Sequence, residues 1–309
     1  MSHIQSVEII CIDGTRLAGD LWLSHSAALG RVIINPATGV AARYYHRYAA
    51  FLAGHGFDVL TYDYRGIGRS RPSKLRGCGY RWRDWGELDF DAALRFMEGK
   101  EGNNPILVVG HSIGGFLIGL AKSAPLVERA LTVGAQYAWW GDYASKRRRA
   151  LFWKWHVMMP IITAGFGYFP GKRLGWLEDL PAGVAYEWSF RGPRFETSHP
   201  RRDRQEVMQR FASVKAEILA LTVSDDELGT PDAVRRTLAY FSGSRKTTVM
   251  LEPADYGRAS IGHFGLFHDS HASGFWLDTL LWLRDGRNPW PDRVFANGSE
   301  KSSFTKELR

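Results

Sequence analysis

Apolar residues gather along this chain in short, β-branched runs separated by turn-forming stretches. Residues 7–12 and 16–23 flank Asp13-Gly14-Thr15, which predicts two strands joined by a tight turn. Runs at 31–35, 57–62, 106–109, 127–133, 216–223 and 246–252 predict six more strands. Apolar residues spaced three and four apart at 44–55, 84–98, 231–241 and 275–283 predict helices between them. Ile106-Leu107-Val108-Val109 shows no polar alternation, the pattern of a strand covered on both faces. Strands and helices alternating at this spacing build βαβ units, so the expected class is α/β with a mostly parallel, eight-stranded sheet flanked by helices. The rhythm stops after residue 133 and resumes at 216. The expected organisation is a core of 1–136 and 214–290, an insertion over 137–213, and a polar tail over 291–309 that frays from Asn297.

The stretch after the fifth strand carries the strongest chemical signal. Gly110-His111-Ser112-Ile113-Gly114 joins a buried strand to an apolar, helix-like segment. In that setting Gly-x-Ser-x-Gly places the serine on a strained turn, and the glycines let the two backbones approach. The turn exposes the hydroxyl and aims the first N–H groups of the helix at the same spot. Ser112 is the candidate nucleophile. Ligands of open α/β sheets bind beyond the carboxyl ends of the strands, and Ser112 shares that edge with the loop at 35–39.

A serine hydroxyl is a poor nucleophile without a base to take its proton, and the base needs a carboxylate to orient it. With this elbow the order along the chain is serine, acid, histidine. Asp225 and Asp226 follow the strand ending near Val223. Asp226 is preferred for its spacing to the Thr230-Pro231 helix start, and Asp225 stays as the alternative acid. His263, in Gly262-His263-Phe264-Gly265, is the candidate base, with His268 and His271 further along. These three histidines have loose spacing and no second cluster, so no metal site is expected. His111 reads as a turn residue packed beside the sheet. Backbone donors for an oxyanion are expected at Ile113 and Ala37, with Thr38 as the alternative to Ala37, because Pro36 has no N–H.

The insertion holds Trp139, Trp140, Trp153, Trp155, Trp176 and Trp188, half of the 12 tryptophans. It also carries the basic run Lys146-Arg147-Arg148-Arg149 and an apolar stretch at 157–169 that is too short to span a bilayer. Three readings stay open: a helical subdomain packed on the sheet edge, a lid roofing a hydrophobic pocket, and a membrane-surface element. Trp139, Trp140 and Phe264 are the candidate substrate contacts.

Composition narrows the partners. Hydrophobic residues at 45% and charged residues at 23% suit an ordinary globular core. A net charge of +8 would suit nucleic acid, but no zinc-finger spacing or RNA-recognition signature accompanies it, so no nucleic-acid partner is expected. Cys11 and Cys78 lie far apart, and the first residues, with Glu8 and Asp13, lack the pattern of a signal peptide. A reduced, cytoplasmic setting is expected. Nothing in the pattern calls for a cofactor, and it leaves the oligomeric state open.

Asp63-Tyr64-Arg65-Gly66-Ile67-Gly68-Arg69-Ser70, Gly110-His111-Ser112-Ile113-Gly114-Gly115 and Ile261-Gly262-His263-Phe264-Gly265 together resemble the α/β-hydrolase superfamily. Pro36-Ala37-Thr38-Gly39-Val40, Gly167-Tyr168-Phe169-Pro170-Gly171-Lys172 and Leu180-Pro181-Ala182-Gly183-Val184 are similar to markers of an uncharacterised bacterial group. That group is related to the serine aminopeptidase/monoacylglycerol lipase-like branch, and the likeness runs from about residue 7 to 285. It implies the α/β-hydrolase fold with an inserted helical lid, and a serine hydrolase with the triad Ser112, Asp226 and His263. The activity expected on that footing is cleavage of a small-molecule carboxylic ester, with an apolar acyl or alcohol part, through an acyl-enzyme. Acyl transfer by the same triad and ligand binding without turnover are the alternatives. One departure stands out: Asn35-Pro36 replaces the superfamily's usual His-Gly after the third strand.

Overall fold

The computed structural model describes residues 3–295. Its eight-stranded sheet is made of β1 (His3–Ile10), β2 (Arg16–Leu23), β3 (Gly30–Asn35), β4 (Phe57–Tyr62), β5 (Ile106–His111), β6 (Val127–Val133), β7 (Glu217–Val223) and β8 (Lys246–Leu251). The spatial order is β1-β2-β4-β3-β5-β6-β7-β8. Pairing is parallel from β4 to β8 and antiparallel where β2 meets β4 and β1. The expected eight strands are all present. β1 begins earlier than the apolar pattern suggests, because the ladder with β2 and not burial holds its first residues: Ile4 stays half exposed while paired with Trp22.

The central strands show why the chain reads as it does. In β5, Leu107 and Val109 point into one apolar layer and Ile106 and Val108 into the other. With helices on both faces, each strand residue is covered, so no polar alternation survives. One layer packs α1 (His46–Gly54) and α8 (Phe275–Asp285) against the sheet. The other packs α2, a continuous helix over 82–98 with a π-helical middle at Trp85–Phe90, and α3 (Ile113–Phe116).

Between β6 and β7 the chain leaves the sheet. It forms α4 over 148–166, with π-helical geometry at Trp153–Met158, then a two-residue ribbon pairing Tyr168–Phe169 with Leu180–Pro181. α5 (Ala182–Ser189) and α6 (Arg204–Ser213) follow, and α7 (Pro231–Tyr240) lies between β7 and β8. A stacked pair, Trp155 on Trp188 at 4.5 Å, centres the insertion's own core. Asp142 ties it to the sheet domain through Arg236 of α7 at 2.7 Å. The outer face of α4 leaves Trp153, Met158 and Ile161 exposed beside the basic run. No helix among the described residues is long and apolar enough to cross a membrane.

The tail begins later than its polarity suggests. Val294 bridges to Val249, and Phe295 exchanges hydrogen bonds with Thr248, so residues 291–295 cover the edge strand β8. The rest of the expected tail, including the fraying from Asn297, lies outside the described residues.

Close approach at the elbow governs the middle of the sheet. A Cβ on Gly114 would lie 2.2 Å from the Asn35 carbonyl oxygen, a backbone atom of β3 with no freedom to retreat. Gly114→Ala is therefore expected to cost about 3 kcal/mol or more. Exposed Gly165 in α4 faces open space, with nothing within 4 Å of where a Cβ would stand. Gly165→Ala is expected to gain about 0.5–1 kcal/mol. Urea denaturation of the two variants checks both, and a Gly114→Ala protein as stable as the parent would contradict the packing described.

Candidate active site

The site is assembled by loops at the carboxyl edge of the sheet. Ser112 follows β5 with φ 55° and ψ −123°, the conformation of a sharp strand-to-helix turn. Its N–H is held by the Val133 carbonyl of β6 at 2.8 Å. Ile113 opens α3, so its N–H has no acceptor within the helix. β6 is followed by Gly134, where φ is 56° and a side chain would fall 2.8 Å from Asp226 Oδ2 and 3.1 Å from the His263 ring. Only a residue without a Cβ leaves room there for both groups.

Asp226 and Asp225 have separate environments. Asp226 Oδ2 lies 2.7 Å from His263 Nδ1, and its Oδ1 accepts the N–H groups of Leu228 and Gly229, both at 2.8 Å. Burial favours the neutral acid, but the His263 ring and these amides outweigh it and hold the carboxyl below the usual carboxylate range. Asp225 reaches the other side of the same loop. Its carboxylate accepts Ser260 Oγ at 2.7 Å and the N–H groups of Ile261 and Gly262, each at 2.9 Å. Of the two candidate acids, Asp226 meets the His263 ring, and Asp225 clamps the turn that carries it.

His111 is fully buried, and burial together with the neighbouring His263 ring pushes its pKa down to about 3. The neutral ring must donate from Nε2, because its partner there is the His263 carbonyl at 2.8 Å. Its Nδ1 therefore accepts the Tyr45 hydroxyl proton at 2.7 Å, and the Tyr45 oxygen accepts the Ala37 N–H at 3.0 Å. One chain of hydrogen bonds thus joins the loop after β3, the elbow and the His263 loop. Asn35 joins in from the side: Oδ1 accepts from Tyr62 at 2.8 Å and Nδ2 donates to the Gly114 carbonyl at 3.2 Å. The Asn35-Pro36 departure thereby acquires a structural role.

The structure places two sets of expected site groups differently. The Ala37 N–H, expected to face an oxyanion, is engaged by Tyr45, whereas the Thr38 N–H makes no hydrogen bond among the described residues. Trp139 and Trp140 do not line the cavity beside Ser112: Trp139 stacks on the Arg236 guanidinium at 4.2 Å, and Trp140 packs on Phe152 and is 40% exposed. Their nearness to the strand end in sequence is not nearness in space, because the chain turns away through the left-handed Ala138, φ 62°.

The cavity measures about 990 Å³ and holds Ser112 and His263, with Phe264 at its wall. Its tryptophan lining comes from Trp82 of α2 and from Trp155, Trp176 and Trp188 of the insertion. Gln136 carries no sequence motif, yet it reaches Ser112. Its Oε1 accepts the Ala138 N–H, which turns Nε2 toward Ser112 Oγ at 3.2 Å. Among the described residues no Ser112–His263 hydrogen bond is present. The one signal for Gln136 is its position just past the end of a strand on the ligand-binding edge.

Residues 26–182 match the family described as serine aminopeptidase, S33. An alpha/beta hydrolase of an Acremonium species, ucsC, is 26% identical over 151 residues, which are 43% of this chain and 30% of that protein. The match therefore spans less than a third of that relative's length. An esterase of Pyrococcus furiosus superposes with a TM-score of 0.59 at 16% identity, covering 92% of this chain and 91% of the other. A soluble variant of the monoglyceride lipase of Saccharomyces cerevisiae, in complex with a substrate analogue, gives 0.63 at 14% identity, covering 92% and 94%. At these identities the solved structures share the α/β-hydrolase fold with this chain.

The Asp225 clamp has a pH signature. Its carboxyl is held below the usual range: burial opposes the charge, and the Ser260 hydroxyl with two loop amides overcomes it. A depressed carboxyl contributes stability above the unfolded value of about 3.9 and loses it as pH falls through the folded value. Asp225→Ala is expected to lose about 1–2 kcal/mol at pH 7. The gap from the parent should narrow below about pH 3.9. Denaturation midpoints across that range test it; a gap unchanged in acid would contradict the assignment.

Proposed function

This chain belongs to the serine aminopeptidase S33 family of the α/β-hydrolase superfamily, and on that premise we propose that it is a serine hydrolase cleaving carboxylic esters with an apolar part. The observation that carries the reading is the buried 2.7 Å pair of His263 Nδ1 and Asp226 Oδ2, set in one cavity with Ser112 on its strained turn. With Nδ1 held by the carboxylate, His263 Nε2 is the nitrogen available to take the Ser112 proton. Gln136 donates to Ser112 Oγ and leaves the hydroxyl hydrogen free for that transfer.

Attack of Ser112 Oγ on the ester carbonyl gives a tetrahedral oxyanion. The Ile113 N–H meets it from the elbow, and the second donor comes from the Ala37–Thr38 turn. There the Thr38 N–H is unengaged among the described residues, while that of Ala37 would first have to release Tyr45. The imidazolium, steadied by Asp226, returns the proton to the leaving alcohol. A water deprotonated by the same histidine then attacks the acyl group and frees Ser112. Residues 137–213 act as the lid over this chemistry, since Leu151, Trp155, Trp176 and Trp188 form one wall of the cavity.

The family's description names an aminopeptidase, whose substrate presents an α-ammonium group. The acids at this cavity do not favour one. Glu178 is paired with Arg43 and Lys172, Glu227 with Arg147, Asp269 with Arg47, and Asp225 with its loop amides. An apolar ester fits this lining better than a charged amine.

A fluorophosphonate probe and a p-nitrophenyl ester series of rising chain length test the reading. The parent should label and turn over esters, and Ser112→Ala should lose labelling and at least about 10³-fold in kcat/KM. Product analysis with added alcohols separates hydrolysis from acyl transfer. A parent that neither labels nor hydrolyses any ester would refute the assignment.

A further inference from the structure

The charges around the cavity are unevenly satisfied. Arg43, Arg47, Glu178, Asp225, Glu227 and Asp269 all have ionic or hydrogen-bonding partners within the protein. Lys154 lines the same cavity and has no ion pair or hydrogen bond among the described residues. It sits in the π-helical part of α4, with Nζ 4.5 Å from the Trp155 ring centroid and 4.4 Å from that of Trp176. Those ring faces orient an ammonium group but accept no conventional hydrogen bond from it. Half-burial and the nearby Arg147 both disfavour its charge and lower its pKa.

An ammonium is a donor only, so the group that pairs with it must be an acceptor, and beside a lysine a negative one.

We propose that Lys154, seated on the Trp155 and Trp176 rings, forms a subsite for a carboxylate carried by the substrate, so that the preferred ester is amphiphilic and anionic. The inference rests on the ester-hydrolase reading for the reaction, and on the lining alone for the binding. The carboxylate can belong to the acyl part or to the alcohol part.

Matched substrate pairs separate these sources. The acyl arm compares mono-p-nitrophenyl adipate with p-nitrophenyl hexanoate. The alcohol arm compares 4-carboxyphenyl hexanoate with 4-carbamoylphenyl hexanoate. In one arm the parent is expected to favour the anionic member by about tenfold in kcat/KM, a difference of about 1.4 kcal/mol. That ratio should collapse toward one in Lys154→Gln, fall partway in Trp155→Phe, and survive in Lys154→Arg. Binding is read separately in the Ser112→Ala background by tryptophan fluorescence. Monomethyl adipate and 4-carboxyphenyl hexanoate serve as anionic ligands there, and methyl hexanoate as the neutral control. Lys154→Gln should weaken the preferred anionic ligand about tenfold relative to its effect on methyl hexanoate. A parent that hydrolyses esters but shows no anionic preference in either arm would overturn the subsite and leave the hydrolase reading intact. So would a preference that persists in Lys154→Gln. A parent inactive on every ester but binding an anionic ligand through Lys154 would refute the reaction and leave the subsite standing.

Discussion

The turn at Ser112 is the constraint on which the rest of the site depends. A side chain at φ 55° costs of order 1–3 kcal/mol, and the chain adopts it only where neighbours over-determine it. Here the neighbours are the β6 carbonyl that holds the Ser112 N–H and the tight contact of Gly114 with β3. β5 lies at the middle of the sheet, covered on both faces, so the turn starts from some of the most deeply buried backbone in the molecule. Strain at Ser112 is thus offset by packing that has nothing to do with chemistry.

From that turn, hydrogen bonds run outward to every other loop of the site. His111, the residue before Ser112, binds the His263 carbonyl on one side and Tyr45 on the other, and Tyr45 holds Ala37. Because His111 is buried and neutral, its two nitrogens have fixed and opposite roles, so the chain has one direction throughout. Asn35 adds a second brace between β4 and the elbow helix. Asp225 closes the arrangement from the far side by gripping the amides before His263. Preorganisation here consists of donors and acceptors that hold one another in place before any substrate arrives.

Much of this is legible in the sequence, for physical reasons. Doubly covered strands announce themselves as unbroken apolar runs, so β3 to β8 and the position of the elbow can be read directly. The order of Ser112, Asp226 and His263 follows from one residue per loop at the carboxyl edge of the sheet. What cannot be read depends on side-chain direction. Asp225 and Asp226 are adjacent in sequence yet face opposite sides of a loop, and only the fold separates them. Trp139 and Trp140 lie closest to β6 in the chain but turn away at Ala138, while more distant tryptophans form the wall. Tyr45 and Gln136 carry no motif, because a tyrosine in an amphipathic helix and a glutamine in a loop look alike whether or not they reach a functional group. The extra reach of β1 leaves no apolar signature either, since its ladder needs backbone pairing and little burial.

In the proposed mechanism Ser112 carries the acyl group between two half-reactions. Rapid mixing of excess p-nitrophenyl acetate with the parent protein, followed by acid quench and peptide mass analysis, probes that intermediate itself. A nitrophenolate burst that scales with enzyme concentration is expected, or, where deacylation is fast, a trapped fraction. In either case the peptide containing Ser112 should be one acetyl group heavier. Steady turnover with the acetyl group absent from Ser112, or found on another residue, would contradict it.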